Sequence, residues 1–177
     1  MRHINQDEQW QQLQQLATIR AGINVAPVGT AFFLTGATGF LGGWLVHDLS
    51  KRTTKPIYCL VRAATLLEAK RRLKKNLCHY GLNSSLVDDG RVMPVLGDLS
   101  KSRLGLSDSL WHELIHAVGV VIHSAAVINS TASYQKLYIP NVQGSMHVLE
   151  FCLAGAKKQL HYLSSLSVFV DTDHNTG

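Results

Sequence analysis

The chain has 177 residues, of which 46% are hydrophobic, and a net charge of +5. Such a length and apolar share suit one domain of ordinary size with a real core, and exclude a disordered chain. The charge is local: residues 62–75 carry Arg62, Lys70, Arg71, Arg72, Lys74 and Lys75 against Glu68 alone, which leaves the remainder neutral. That strip lacks the interleaved aromatics of a nucleic-acid binder and reads as a solvated helix face or a local phosphate site, so no nucleic-acid partner is expected.

Residues 1–28 are expected to be an N-terminal helix and linker. The polar, Gln-rich start has no apolar run like a signal-peptide core, and residues 5–20 show an amphipathic helical pattern with Trp10, Leu13, Leu16 and Ala17 on one side. Residues 22–29, with Pro27, read as a connector. From residue 29 to 177 strands and helices alternate. Strands are predicted at 31–35, 56–61, 91–96, 118–123 and 160–163. Helices are predicted at 39–51, 65–80, 107–117 and, for the most part, 133–154. Such alternation implies an α/β, Rossmann-type doubly wound parallel sheet with apolar strands covered on both faces. A complete dinucleotide fold usually closes with a sixth strand. With five predicted, the fold is expected to be incomplete at its C-terminus and the chain to be the N-terminal part of something longer.

No apolar stretch is long enough to span a bilayer, so no membrane partner is expected. Three widely spaced cysteines, Cys59, Cys78 and Cys152, suggest buried thiols in a reducing, cytoplasmic setting.

The most informative stretch is Phe32-Phe33-Leu34-Thr35-Gly36-Ala37-Thr38-Gly39-Phe40-Leu41-Gly42. A strand runs into a glycine loop and then into a helix, the arrangement that holds a dinucleotide pyrophosphate at a helix N-terminus. Gly36 suits the tight turn, Gly39 the close approach of backbone to phosphate, and Gly42 the packing of helix on strand. The second strand ends at Leu60-Val61-Arg62, 20 residues after Gly42, and no acid occurs between Thr53 and Leu67. An acid there would meet the ribose 2′-hydroxyl of NAD. Arg62, with Arg71 or Arg72 as a second contact, suits the 2′-phosphate of NADP, because guanidinium offers paired donors to phosphate oxygens.

Two further patterns compete for a role. His112-Glu113-Leu114-Ile115-His116 matches the zinc motif H-E-x-x-H, but a third ligand at the usual spacing is missing and the segment reads as a connector helix, so no metal is expected. His123 ends a buried strand and is expected to be a satisfied core histidine rather than a catalytic one.

The loop Thr35–Gly42 resembles that of extended short-chain dehydrogenases/reductases. Further blocks narrow the likeness: Cys59-Leu60-Val61-Arg62-Ala63, Gly97-Asp98-Leu99, Leu104-Gly105-Leu106, Val121-Ile122-His123-Ser124-Ala125-Ala126, Asn141-Val142-Gln143-Gly144-Ser145 and His161 to Phe169. In this order they resemble the thioester reductase domains of nonribosomal peptide and polyketide synthetases and of carboxylic acid reductases. The resemblance implies an NADPH cofactor and, as partner, an acyl or peptidyl carrier protein bearing a phosphopantetheine thioester, which is released as aldehyde or alcohol. It implies that Gly36, Thr38, Gly39, Phe40, Leu41 and Gly42 form the cofactor loop and that Arg62 and Arg72 face the 2′-phosphate. Asp98 and Leu99 would lie beside the adenine, and Ser124, Ala125 and Ala126 under the cofactor. Asn141 would be the family's helix Asn, and Ser165 the catalytic hydroxyl on the reacting oxygen, where the family more often has Thr. One departure matters. No Tyr here is followed four residues later by Lys, the pair that protonates the nascent alkoxide in this superfamily. The chain alone is therefore expected to bind cofactor without turnover. A non-catalytic dinucleotide-binding module and a fatty acyl-CoA reductase-like enzyme are the alternatives.

Overall fold

The computed structural model describes residues 29–165, and Gln11 before them. The predicted helix at 5–20, with Trp10, therefore lies outside the described residues except at Gln11. Five strands, β1 (Ala31–Thr35), β2 (Ile57–Val61), β3 (Val92–Leu96), β4 (Val118–His123) and β5 (Gln159–Tyr162), alternate with α1 (Phe40–Arg52), α2 (Leu66–His79), α3 (Asp108–Ala117), a short α4 (Tyr134–Leu137) and α5 (Gly144–Leu153). The sheet runs β3-β2-β1-β4-β5, and every pair is parallel. The strand order reverses at β1, which opens a crevice between the carboxyl ends of β1 and β4.

Alternation along each strand builds two cores. Phe33 of β1 and Val121 of β4 pack on one face with Leu114 of α3 and Phe151 of α5. Their neighbours Leu34 and Ile122 pack on the other with Val46 of α1 and Leu73 of α2. Period-two side chains on a doubly covered sheet require this division. On α2 the buried residues Ala69, Leu73 and Leu77 recur every fourth position. Its start is set locally: the Thr65 hydroxyl accepts from the Glu68 N–H at 3.1 Å, and the Glu68 carboxylate accepts from the Ala64 N–H at 3.0 Å. This is a close variant of the capping box. Pro94 sits in β3, which is the edge strand, where a missing N–H interrupts no inner ladder.

Two expectations are corrected and one is refined. The stretch predicted to be helical for the most part over 133–154 is helical from 134 to 153, and within it residues Tyr138–Gln143 widen into a π-turn between α4 and α5. Pro140 lies inside it, and a proline has no N–H to give and crowds the carbonyl four residues back. Nor are the strands apolar and covered throughout, since Gln159, His161 and Tyr162 of β5 are exposed among the described residues. Of the three thiols, Cys59 and Cys152 are buried while Cys78 is exposed, because Cys78 follows Leu77 on α2 and faces off the core stripe. Burial pushes both inner thiols up to about 12, so they stay protonated and inert.

Candidate functional site

A cavity of about 330 Å³ opens at the crevice. Its floor comes from β1 and the segment after β4, through Thr35, Gly36, Ser124, Ala125, Ala126 and Val127. One side is the glycine loop at Thr38 and Gly39, and the opposite end holds Arg62, Arg72, Asp98 and Leu99. Ten of the residues singled out from sequence thus share one cavity although they come from five separate stretches of chain.

The loop follows from its glycines. Gly36 has φ +79°, a conformation that side chains resist. A Cβ on Gly42 would stand 2.0 Å from the Gly36 carbonyl oxygen, so the first turn of α1 can lie on the loop only as glycine. At Gly39, apart from the adjoining chain, an added Cβ would come within 4 Å of that same oxygen alone, at 3.3 Å, so a side chain there would fill space that is otherwise open. Gly39 is also the N-cap of α1. The cap is extended, carries no side-chain hydrogen bond, and no acid lies in the first turn. A helix N-terminus with neither side-chain cap nor acid presents unsatisfied N–H groups and the positive end of the helix dipole, a setting that favours an anion.

Phe40, Leu41 and Gly42 do not line the cavity with side chains. Phe40 and Leu41 are exposed, so what they can offer a ligand is their backbone N–H. Gly42 is a packing residue. Asn141 is likewise not in the lining: its amide pairs with the backbone of Val127, accepting from the N–H at 2.8 Å and donating to the carbonyl at 2.9 Å. It therefore fixes the loop that forms the floor. Ser165 lies three residues beyond β5, exposed and outside the lining.

At the basic end, the Arg72 guanidinium donates to the backbone carbonyl of Arg62, which ties α2 to the end of β2. Burial opposes ionisation of Asp98. Hydrogen bonds from the Ser100 N–H and hydroxyl at 2.9 and 2.7 Å, with Arg62 and Lys101 nearby, outweigh it and hold the carboxyl below its usual range. The Asp98 N–H reaches the carbonyl of Leu104 at 2.7 Å. In this turn Arg103 and Leu104 adopt left-handed backbone, a costly conformation for side-chain-bearing residues, and Leu104 is completely buried.

His123 anchors a directed chain of hydrogen bonds beneath the floor. The Ser145 hydroxyl gives its one hydrogen to the Asn141 carbonyl at 2.5 Å, so it accepts from His123 Nε2–H at 3.2 Å. With the proton of the neutral ring on Nε2, Nδ1 accepts from the Thr35 hydroxyl at 2.6 Å, which itself accepts from the Ala125 N–H at 3.3 Å. Burial drives His123 down to about 4, so it is neutral with the proton on Nε2. It is a satisfied core histidine, as expected.

Thr35, Leu60 and Gly97, which belong to the motif blocks but were given no role, and Ser100, Val127 and Pro140, which lie outside them, also line the cavity. Their signal was weak because each is an ordinary strand-end or loop residue whose position depends on the crossing of distant strands. His112, Glu113 and His116 do not converge with a third ligand on α3, and no group of three potential metal ligands exists among the described residues. No described helix is long and apolar enough to cross a membrane.

Residues 34–177 match a family model, NAD_binding_4, described as male sterility protein. The chain is 37% identical to L-2-aminoadipate reductase of Saccharomyces cerevisiae over 80% of its own length and 10% of that protein. Among solved structures it resembles the terminal R domain of the myxalamid PKS-NRPS biosynthetic pathway, with TM-score 0.74 and 37% identity over 82% of this chain and 36% of that one. It also resembles a thiolation-reductase di-domain of an archaeal non-ribosomal peptide synthetase, with TM-score 0.69 and 26% identity over 97% and 35% of the two chains. The chain therefore spans only about a third of these structures, and far less of the yeast reductase.

Proposed function

This chain belongs to the NAD-binding family whose model it matches, and from that premise we propose that it is the NADPH-holding part of a thioester reductase. The reading is that residues 29–177 are a Rossmann domain serving reductive release of an acyl or peptidyl thioester from a carrier protein. Its main support is the composition of one cavity, with two guanidinium side chains at one end and a glycine loop under an uncapped helix N-terminus along the side. A dinucleotide with an extra phosphate on its adenosine ribose has anionic groups at those two places. The open space at Gly39 fits the backbone approach that a pyrophosphate needs. The likeness to a thiolation-reductase di-domain supports a carrier domain as partner.

In this reading Arg62 and Arg72 hold the 2′-phosphate, and bidentate guanidinium contacts select NADPH over NADH. Thr38, Gly39 and the first-turn N–H groups of α1 hold the pyrophosphate. Asp98 and Leu99 lie beside the adenine, and Ser124, Ala125 and Ala126 support the cofactor on a floor that Asn141 and His123 keep in place. When bound, the reduced cofactor supplies a hydride to the thioester carbonyl. The Ser165 hydroxyl would donate a hydrogen bond to the oxygen that gains charge. A serine is far too weak an acid to give up its proton at neutral pH, and no Tyr-x-x-x-Lys occurs in these residues. What they contribute is binding and orientation.

Calorimetric titration of the 177-residue chain with NADPH and NADH tests this. NADPH should bind at least about tenfold more tightly, a difference of about 1.4 kcal/mol, and Arg62→Ala should remove most of the preference. Equal affinities would overturn the choice of NADPH. Absence of binding by either would overturn the dinucleotide reading.

A further inference from the structure

We propose that Asn76 is the positioning residue of the glycine loop and that Gly43 is glycine in order to admit it. Asn76 lies on the inner side of α2, one turn after Arg72. Its Nδ2 donates to the carbonyls of Ala37 at 3.2 Å and Gly39 at 3.1 Å. A side-chain amide nitrogen carries two hydrogens, so both are used. In a trans peptide the carbonyl and the following N–H point opposite ways. Drawing the Ala37 carbonyl toward Asn76 therefore turns the Thr38 N–H away from α2, and at Gly39 Asn76 reinforces the bond from the Gly43 N–H at 3.1 Å that turns the Phe40 N–H the same way. These are donors that an anion at the loop would meet.

Gly43 supplies the second, independent observation. A Cβ there would stand 2.7 Å from Asn76 Nδ2, while its next neighbours, Tyr80 and Leu82, are at ordinary contact distances of 3.7 and 3.8 Å. Glycine is a poor residue for a helix interior, and only Asn76 forbids alanine. One helix thus carries both an arginine of the basic end and, four residues on, the clamp that shapes the anion loop.

The inference rests on the dinucleotide reading, and a split of ligands separates the two. NADPH spans the loop and the basic end, whereas adenosine 2′-monophosphate has no pyrophosphate. Asn76→Asp keeps the shape but presents oxygens to both carbonyls. It should weaken NADPH about tenfold and leave adenosine 2′-monophosphate within about twofold of the wild-type chain. Unchanged NADPH affinity, or equal loss of both ligands, would overturn the assignment. A second pair guards against a damaged variant. Gly43→Ala should weaken NADPH about as much as Asn76→Asp, yet add nothing in an Asn76→Ala background, where the space is free. Additive losses would overturn the assignment. A wild-type chain that binds neither ligand would refute the dinucleotide reading and this inference with it.

Discussion

Gly39 and Gly42 belong to one motif, and the structure predicts opposite consequences for their replacement by alanine. At position 42 the new Cβ would meet three backbone atoms, the Gly36 oxygen at 2.0 Å, the Gly36 carbonyl carbon at 2.6 Å and the Ala37 Cα at 2.7 Å. None of these can rotate away, so helix and loop must separate by about an ångström or more to reach ordinary contact. Overpacking of this kind costs about 1–3 kcal/mol and more against rigid backbone, and the better helix propensity of alanine returns about 1 kcal/mol. A net loss of about 2 kcal/mol should lower Tm by about 4–8 °C for a domain of this size. At position 39 the Cβ would meet one atom, at 3.3 Å, and the backbone there, with φ −97° and ψ 177°, is open to any residue. Stability should fall by less than about 1 kcal/mol, the scale of an N-cap change. The side chain would instead stand in the space that a phosphate needs, so NADPH affinity should fall at least about tenfold. Thermal melts and NADPH titrations on both variants separate the two roles. If Gly39→Ala lowers Tm as much as Gly42→Ala, or if Gly39→Ala binds NADPH normally, the division into a packing glycine and a ligand glycine is wrong.

Two further predictions concern the frame around the site. His123 faces Thr35, Ser145 and the ring of Tyr162, and burial lowers its pKa in the folded chain to about 4 from the ordinary 6.5. The unfolded chain therefore takes up this proton first, and stability is lost as pH falls from about 6.5 to 4, by up to about 3 kcal/mol. Urea unfolding at both pH values should show that loss shrinking in His123→Gln, and an equal slope in both proteins would refute it. Lys158 is buried and its ammonium donates to the carbonyls of Ile115, Ala154 and Ala156 at 2.8, 2.6 and 2.8 Å, closing the C-terminal ends of α3 and α5. Lys158→Met should cost about 3 kcal/mol, since charge-assisted bonds to buried carbonyls are lost together. A urea midpoint shift equivalent to less than about 1 kcal/mol would show that water replaces the ammonium.

What could be read from the sequence alone was whatever depends on neighbours along the chain. The alternation of apolar strands and amphipathic helices was legible because periods of about 2 and 3.6 are local properties, and the glycine loop because a turn, a cap and a helix start follow one another directly. Arg62 was legible because a strand of ordinary length must end near it. The same local reading could not show the π-turn around Pro140 inside a stretch that is otherwise helical, and it counted β5 among the covered strands. Asn76 went unnoticed because its partners stand 37 and 39 positions away, on a loop reached only when α1 and α2 pack side by side. For the same reason only tertiary contact shows Gly42 to be packing and Gly39 to border open space, Asn141 to hold the floor from behind, and His123 to be neutral with its proton on Nε2. Spacing tells which residue types recur. Whether a given side chain faces a ligand, a backbone carbonyl or solvent is decided by which strands cross beside it, and hydrogen bonds made at that distance leave no period in the sequence.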